Sequence, residues 1–278
     1  MRDARSAQQA HRDPSGLVLV KALGARRLSA ERSTGPWEVG AVNIHREIRA
    51  YYGEAAGEHH RYRSWEHCYG FFRQARADGL AANRDHAALQ LAFYLASWGM
   101  YRGSSFLLQH AYTVHRGVID LVADERFDGL WGADFGAGEE DGRLVPLVGE
   151  LIVRVRQAYK PFVAATGSAQ PTDTLITKVI LGTFGCLPAC DRYFIDGFKS
   201  QGLKYSCLND TFVERILGFC HEHLLELRKE QASIEESGGL RYPLMKLVDM
   251  YFWQLGYEGV FPTRVGVDRG TGGRRAPT

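Results

Sequence analysis

The chain has 278 residues, of which 45% are hydrophobic and 24% charged, a composition typical of a folded globular protein and not of a disordered or fibrous one. Its 34 Lys and Arg and 32 Asp and Glu leave a formal charge of +2, so charge neither requires nor excludes a nucleic-acid partner. No apolar run reaches the ~18 residues of a membrane span, and the first residues lack the apolar core of a signal peptide. We therefore predict a cytoplasmic protein without a membrane partner.

The five cysteines are an odd number and lie in apolar contexts, which predicts free, buried thiols in a reducing compartment. Cys186 and Cys190 with His221 and His223 are an alternative zinc-ligand set. Their spacing matches no common zinc module, so we expect neither a metal nor another cofactor. The sequence carries no indication of the oligomeric state.

Polar, Gly-rich tails are predicted to be disordered at residues 1–16 and 263–278. Residues 17–262 between them have apolar side chains at helical spacing almost throughout and no alternating strand pattern of convincing length. The fold class predicted is therefore all-α, with one compact multi-helix domain over 17–262.

In chain order, the first predicted helix is VNIHREIRAYYGEA, and the second is SWEHCYGFFRQARA, with Ser64 as its N-cap. The third is RDHAALQLAFYLASWGMY. Its apolar residues at helical spacing predict that Leu89, Ala92, Phe93 and Ala96 face the core.

The next stretch, SSFLLQHAYTVHRGVIDLVAD, is predicted to form one helix capped by Ser104 or Ser105. A loop, WGADFGAGEEDGR, follows it. Amphipathic helices are then predicted at LVPLVGELIVRVRQAYK and LLELRKEQASIEE. The last predicted helix is YPLMKLVDMYFWQLGY, with Pro243 in its first turn.

The stretch TKVILGTFGCLPACDRYF, residues 177–194, places charge just after a helix break. Gly182 and Gly185 end an apolar helix, and Pro188 can start the next one. Asp191 then lies in the first turn, where the helix dipole and the free N–H groups favour a carboxylate. Two interpretations stay open: a functional carboxylate in an apolar wall, or a helix cap that pairs with Arg192 or Lys178.

This stretch resembles the signature of helix-hairpin-helix DNA glycosylases, which are all-α proteins. The signature runs from Thr-Ala through two aliphatic residues, a turn with Phe-Gly and a Pro to a catalytic Asp. The residues that follow this order are Thr177, Val179, Ile180, Leu181, Thr183, Phe184, Gly185, Pro188 and Asp191.

The resemblance implies a DNA glycosylase, a hydrolase of base excision, with Asp191 as catalytic carboxylate. DNA is then the implied partner, and a modified base is the implied target. The aromatic and Gly content near residues 98–105 suits a bulky or modified base, such as one in foreign or phage DNA, and we expect a role in antiphage defence. The family's Leu-Pro-Gly-Val-Gly hairpin is missing, and Arg192 stands where the family has Thr. Lys178 is the candidate for the family's Schiff-base lysine. It lies 13 residues before Asp191, nearer than in that pattern, which indicates a monofunctional enzyme without lyase activity.

A second register of the same signature is open. FGCLPA, residues 184–189, then takes the place of the hairpin, and NDTFVER, residues 209–215, resembles the signature's ending. Asp210 is the catalytic carboxylate in this register. In the simpler interpretation, Asn209 or Asp210 caps the helix that runs through Arg215.

FYLASWGMYRGSS, residues 93–105, combines aromatic side chains, glycines and hydrogen-bond donors. Trp98 and Tyr101 can stack on a base, and Arg102, Ser104 and Ser105 can bind phosphate at a helix start. These residues and Arg192 are predicted to bind substrate. The alternative is a corner between helices with a capping Ser and a surface Arg.

Lys246 and Asp249 stand three residues apart on the last predicted helix, which is otherwise apolar. They form either a surface ion pair or a pair inside the substrate pocket. Arg61 and His67 fit the loose Arg-x(4–6)-His motif of HEPN ribonucleases, which is the alternative enzyme class. An all-α protein-interaction module without enzymatic activity is the third candidate function.

Overall fold

Helices joined by short links make up the chain wherever the computed structural model describes it, at residues 42–55, 57, 59–133, 141–165 and 170–260. No strand occurs among these residues, so the all-α prediction is confirmed. The α-helices described there are α1 (Ile44–Ala55), α2 (Arg63–Asp78), α3 (Arg84–Ser97), α4 (Arg116–Val122), α5 (Asp141–Ala164), α6 (Asp173–Thr183), α7 (Arg192–Ser200), α8 (Asp210–Glu222), α9 (Leu224–Glu236) and α10 (Leu244–Val260). Both predicted tails, and the predicted domain limits at residues 17 and 262, lie outside the described residues.

Helices α7 and α10 cross in backbone contact, and this contact fixes the N-terminal end of α7. The closest approach is at Gly197 and Gly256, where a Cβ atom would overlap the carbonyl groups of Phe252 and Tyr193. Only glycine at both positions allows this approach. Within the described residues, no helix is long and apolar enough to cross a membrane.

The prediction for the inward face of α3 is wrong in part. Leu89 and Phe93 are 51% and 62% exposed, and Ala96 is exposed as well. Of the four residues predicted to face the core, Ala92 is buried, and the buried face also carries Leu91, Tyr94 and Leu95. The helix is apolar on most sides, so the periodicity does not select a face. Packing selects it, because the Tyr94 ring lies against Gly182, where a Cβ atom would come within 2.5 Å of the ring.

The stretch at 104–124 is not one helix, contrary to the prediction. It forms short 3₁₀ helices at Phe106–Gln109 and Tyr112–His115, followed by α4. The backbone between them is extended at His110, whose ring Nδ1 lies 2.9 Å from the Phe106 carbonyl oxygen. In a continuous α-helix that carbonyl would accept the backbone N–H of His110. Ser105 caps the first 3₁₀ helix, since its Oγ accepts from the Leu107 N–H.

Two further predictions about helix starts need correction. Ser64 is not an N-cap: α2 begins one residue earlier, and the buried Ser64 hydroxyl accepts a hydrogen bond from Ser97 Oγ at 2.6 Å. Pro243 precedes the first residue of α10, so it lies outside the first turn. The predicted loop at 131–143 is only partly described. Residues 131–133 form a turn, residues 134–140 lie outside the described residues, and α5 starts at Asp141.

His115 is fully buried and is expected to make stability fall in acid. Its two ring nitrogens lie 2.7 Å from the Tyr101 and Tyr159 hydroxyl oxygens, and burial lowers its pKa from 6.5 to about 3. The unfolded chain therefore binds an extra proton below pH 6.5, and the stability that neutral His115 contributes is lost as pH falls toward 3.

We expect a loss of about 1.4 kcal/mol per pH unit below pH 6 from this residue, measured by urea denaturation. In His115→Gln, whose side chain at 115 does not titrate, the free energy of unfolding should fall less steeply with pH, by that amount per unit. His86→Gln, at an exposed histidine, should keep the wild-type slope. Equal slopes in wild type and His115→Gln would contradict the prediction.

Candidate active site

Residues 184–191, which we name the strap, link α6 to α7 and are buried from 184 to 190. The strap turns at Gly185, where φ is +71° and a Cβ atom would come within 2.7 Å of Pro243 and 2.8 Å of Tyr69. Both the backbone angle and the close neighbours therefore require glycine.

Three side-chain hydrogen bonds hold the end of the strap. Thr177 Oγ1 accepts from the Cys190 N–H at 2.8 Å, and Thr174 Oγ1 donates to the Cys190 carbonyl at 2.8 Å. Asp249 Oδ1, from α10, accepts from the Ala189 N–H at 3.0 Å. The residue that follows these fixed points, Asp191, thus starts from a backbone held by α6 and α10.

Asp191 makes both contacts that the sequence left open as alternatives to catalysis. It is the N-cap of α7, with Oδ1 accepting from the Phe194 N–H at 3.2 Å, and its Oδ2 lies 3.0 Å from Lys178 Nζ. Arg192 pairs instead with Asp196. The Asp191 side chain is 17% exposed and that of Lys178 only 4%, so the carboxylate is the member of the pair that meets solvent.

Lys246 and Asp249 form a second buried ion pair, so their interpretation as a surface pair is wrong. Nζ and Oδ2 are 2.8 Å apart, and the side chains are 3% and 6% exposed. Burial lowers the pKa of the Lys246 ammonium, while the Asp249 carboxylate opposes that shift. The ammonium also donates to the Tyr51 hydroxyl at 3.2 Å and lies 5.1 Å from the centre of the Trp65 ring.

Both ion pairs line one small cavity, together with Tyr94, Trp98, Leu181, Ala189 and Trp253. We call Lys178, Asp191, Lys246 and Asp249 the charge quartet. The cavity has a volume of about 10 Å³, which is room for about one water molecule. A nucleobase does not fit inside it, and a base that reaches Asp191 would have to bind at its solvent-facing side.

The aromatic wall of this cavity contains two hydrogen-bond donors without a partner. Trp98 Nε1 and Trp253 Nε1 are buried, and neither has an acceptor among the described residues. The Trp98 ring is stacked on Tyr62 at 5.3 Å, and Lys178 Nζ lies 4.7 Å from its centre. An unsatisfied buried donor is costly in a folded protein, so each indole N–H calls for an acceptor, such as a bound water or a ligand.

Three exposed arginines border the cavity residues. The Arg61 guanidinium lies 5.4 Å from the centre of the Trp98 ring, and Arg102 packs over Gly99, next to Trp98. Arg192 follows Asp191 directly. Among the described residues, no carboxylate forms an ion pair with Arg61 or Arg102 in this structure. We call Arg61, Arg102 and Arg192 the arginine rim.

The remaining predicted substrate-binding residues lie elsewhere. The Tyr101 hydroxyl faces His115. Ser104 and Ser105 line a separate open cleft of about 530 Å³ with Phe106, Gln109, His110 and Ala165. Of the residues predicted at 98–105, the structure therefore brings Trp98 into the cavity that Asp191 lines.

Asp210, the carboxylate of the second register, is exposed in the first turn of α8. Asn209 is the N-cap, since its Oδ1 accepts from the Phe212 N–H at 3.0 Å. Asp210 faces Gly149 of α5, where a Cβ atom would lie 3.1 Å from its Oδ1. It is not among the residues that line the cavity.

The other candidate constellations are dispersed. Arg61 packs on Tyr62 and Trp98, whereas His67 lines a different cleft with Tyr52 and residues 237–240. The free cysteines described are buried, except Cys207. No cluster of three or more His, Cys, Asp or Glu that could hold a metal ion occurs within the described ranges.

Sequence reasoning missed Tyr94 and Trp253 as cavity residues. Both stand at helical spacing from residues that it found: Tyr94 four before Trp98, and Trp253 four after Asp249. Side chains four apart share a helix face, so extending the Lys246 and Asp249 pattern by one turn would have found Trp253.

No known protein family, curated protein or solved structure matches this chain.

Proposed function

We propose that the protein is a monofunctional DNA N-glycosylase that removes a modified base, with Asp191 as its catalytic carboxylate. The observation that carries the proposal is the setting of Asp191. Its carboxylate is fixed as the N-cap of α7, paired with Lys178, and partly exposed beside a cavity lined by Trp98 and Trp253.

Cleavage of an N-glycosidic bond needs such a group. The C1′–N bond breaks with its electron pair going to the base, and positive charge builds on the sugar. A fixed carboxylate in a water-poor site stabilises that charge. Water then adds to C1′ and loses a proton, which Asp191 can accept, while the base leaves with a proton from solvent. Lys178 orients the carboxylate through the ion pair.

The base must leave the duplex before the sugar can reach Asp191. Because the cavity has room for only about one water molecule, the flipped base is placed outside it, against the Trp98 edge and the arginine rim. The rim supplies guanidinium donors for base edges or for phosphates. Modified bases of foreign or phage DNA are the target class that we propose.

The arginine rim predicts weak, salt-sensitive DNA binding. Each of Arg61→Gln and Arg102→Gln should reduce the slope of log K against log salt concentration by about one and weaken binding similarly for all DNA sequences. Arg84→Gln, at an exposed arginine that pairs with Asp120, serves as the matched control. Fluorescence anisotropy between low and high salt measures the slopes. Affinity that does not change with salt would remove DNA as the partner.

The activity itself is tested with duplexes that each carry one modified base. After incubation with the protein, alkali should cleave the strand at an abasic site, and untreated samples should stay intact. Cleavage without alkali would contradict a monofunctional glycosylase and indicate a lyase or nuclease. Intact strands after alkali across a broad panel of modified bases would contradict the proposal.

A further inference from the structure

The cavity is lined by a second ion pair that the proposed mechanism does not use. Lys246 and Asp249 lie on one turn of α10 and line the same cavity as Lys178 and Asp191. Their exposure is 3% and 6%, lower than the 17% of Asp191. Two charges at this depth cost desolvation energy that apolar side chains would avoid, so stability alone does not account for them.

Asp249 connects this deep pair to the strap. One carboxylate oxygen accepts from the Ala189 N–H at 3.0 Å, two residues before Asp191, and the other binds Lys246 Nζ at 2.8 Å. Lys246 is in turn held by the Tyr51 hydroxyl of α1 at 3.2 Å. Asp249 therefore fixes the backbone from which Asp191 projects, and Lys246 fixes Asp249.

The charges of the quartet also depend on one another. Two ammonium groups and two carboxylates around one small cavity give a net charge of zero. Lys246 responds electrostatically to Lys178 and Asp191 as well as to Asp249. If Asp249 loses its charge, the Lys246 ammonium is left without its partner and competes with Lys178 for Asp191. If Lys246 loses its charge, an unpaired carboxylate stays beside the strap.

We infer that Lys246 and Asp249 are positioning residues for Asp191: they anchor the strap and keep the quartet neutral, so that the Asp191 carboxylate keeps its orientation. This role rests on the proposed glycosylase function. The ionisable groups that line the cavity with Asp191 are Lys178 of α6, Tyr94 of α3, and Lys246 and Asp249 of α10.

A double-mutant cycle on base release tests the inference. Asp249→Asn keeps an oxygen that can accept from Ala189 N–H but removes the charge, and Lys246→Met removes the other charge. Each single variant is expected to lower kcat by about tenfold or more with little change in DNA affinity, since a small displacement of a catalytic group has a large kinetic effect. In the double variant the quartet is neutral again, because Lys178 and Asp191 are its only charged members. This variant should therefore release the base faster than either single variant.

A matched control is the surface pair Arg241 and Glu235, whose side chains are 47% and 45% exposed. Arg241→Met, Glu235→Gln and their double variant should leave kcat unchanged. A double variant of Lys246 and Asp249 that is no faster than the faster of its two single variants would overturn the inference.

A second measurement does not depend on activity and separates this inference from the proposed function. The Asp191 carboxylate raises the pKa of Lys246, opposing the effect of burial. In Asp191→Asn, which keeps the helix cap, the pKa of Lys246 should fall further, as followed by NMR of ¹⁵N-labelled lysine. No further fall would overturn the coupling of the quartet, whether or not the protein releases a base. A fall of the Lys246 pKa in Asp191→Asn, together with no base release by the wild-type protein, would reject the function and keep the coupling.

Discussion

Replacing Asp191 by asparagine is expected to slow base release by about 10²-fold or more, because the charge that stabilises the sugar cation is removed. Asparagine caps a helix about as well as aspartate, so α7 should keep its start. The buried Lys178 ammonium loses its partner, and the free energy of unfolding should fall by about 3 kcal/mol. The rate of abasic-site formation under single-turnover conditions measures the first effect, and urea denaturation measures the second.

A double variant separates the catalytic role of Asp191 from its structural role. Lys178→Met combined with Asp191→Asn removes the unpaired ammonium, so stability should recover while base release stays slow. If both the stability and the rate of base release recovered, Asp191 would serve the fold alone. DNA affinity should persist in either variant, or rise slightly as repulsion of phosphate is lost.

Asp210→Asn decides between the two registers of the sequence signature. Asp210 is exposed, and Asn209 caps its helix, so the substitution should leave base release at the wild-type rate. If Asp210→Asn abolishes release and Asp191→Asn does not, the preferred register is wrong. Full activity in both variants would remove the main support for the glycosylase proposal.

One helix was predicted with its exact limits. The predicted segment LLELRKEQASIEE coincides with α9, Leu224–Glu236, where Leu227 and Ile234, seven residues apart on one face, are buried. The face of α3 could not be predicted, since Leu89 and Phe93 are as apolar as the side chains that are buried. The break at His110 depends on a side-chain contact with the Phe106 carbonyl that no periodicity contains.

In the candidate site, only the features that depend on residues close together in the sequence could be predicted. The glycine and proline break before Asp191 indicated a helix start, and the structure has the N-cap there. The spacing of Lys246 and Asp249 indicated an ion pair but not its burial, because its burial is set by α1, α7 and α9, which pack against α10. Likewise, Lys178 and Asp191 lie 13 residues apart, and only the course of the strap brings their charged atoms to 3.0 Å.

The crossing of α7 and α10 is expected to be the position in the fold least tolerant of added volume. At Gly197 a Cβ atom would lie 2.8 Å from the Phe252 carbonyl carbon, and at Gly256 one would lie 2.7 Å from that of Tyr193. These neighbours are backbone atoms, which cannot move away by changing rotamer, so the two helices would have to separate. Because Asp191 is the N-cap of α7, separation would also displace the candidate catalytic carboxylate.

We therefore expect Gly197→Ala and Gly256→Ala each to lower the free energy of unfolding by about 3 kcal/mol or more, as measured by urea denaturation followed by circular dichroism. Gly218→Ala is the matched control. Gly218 is exposed within α8, with no atom within 4 Å of a Cβ atom built on it. Alanine there should raise the free energy of unfolding by about 0.5 to 1 kcal/mol, the usual gain for this change within a helix. If Gly197→Ala were as stable as Gly218→Ala, the two helices could not be in backbone contact, and the fixed start of α7 would lose its physical basis.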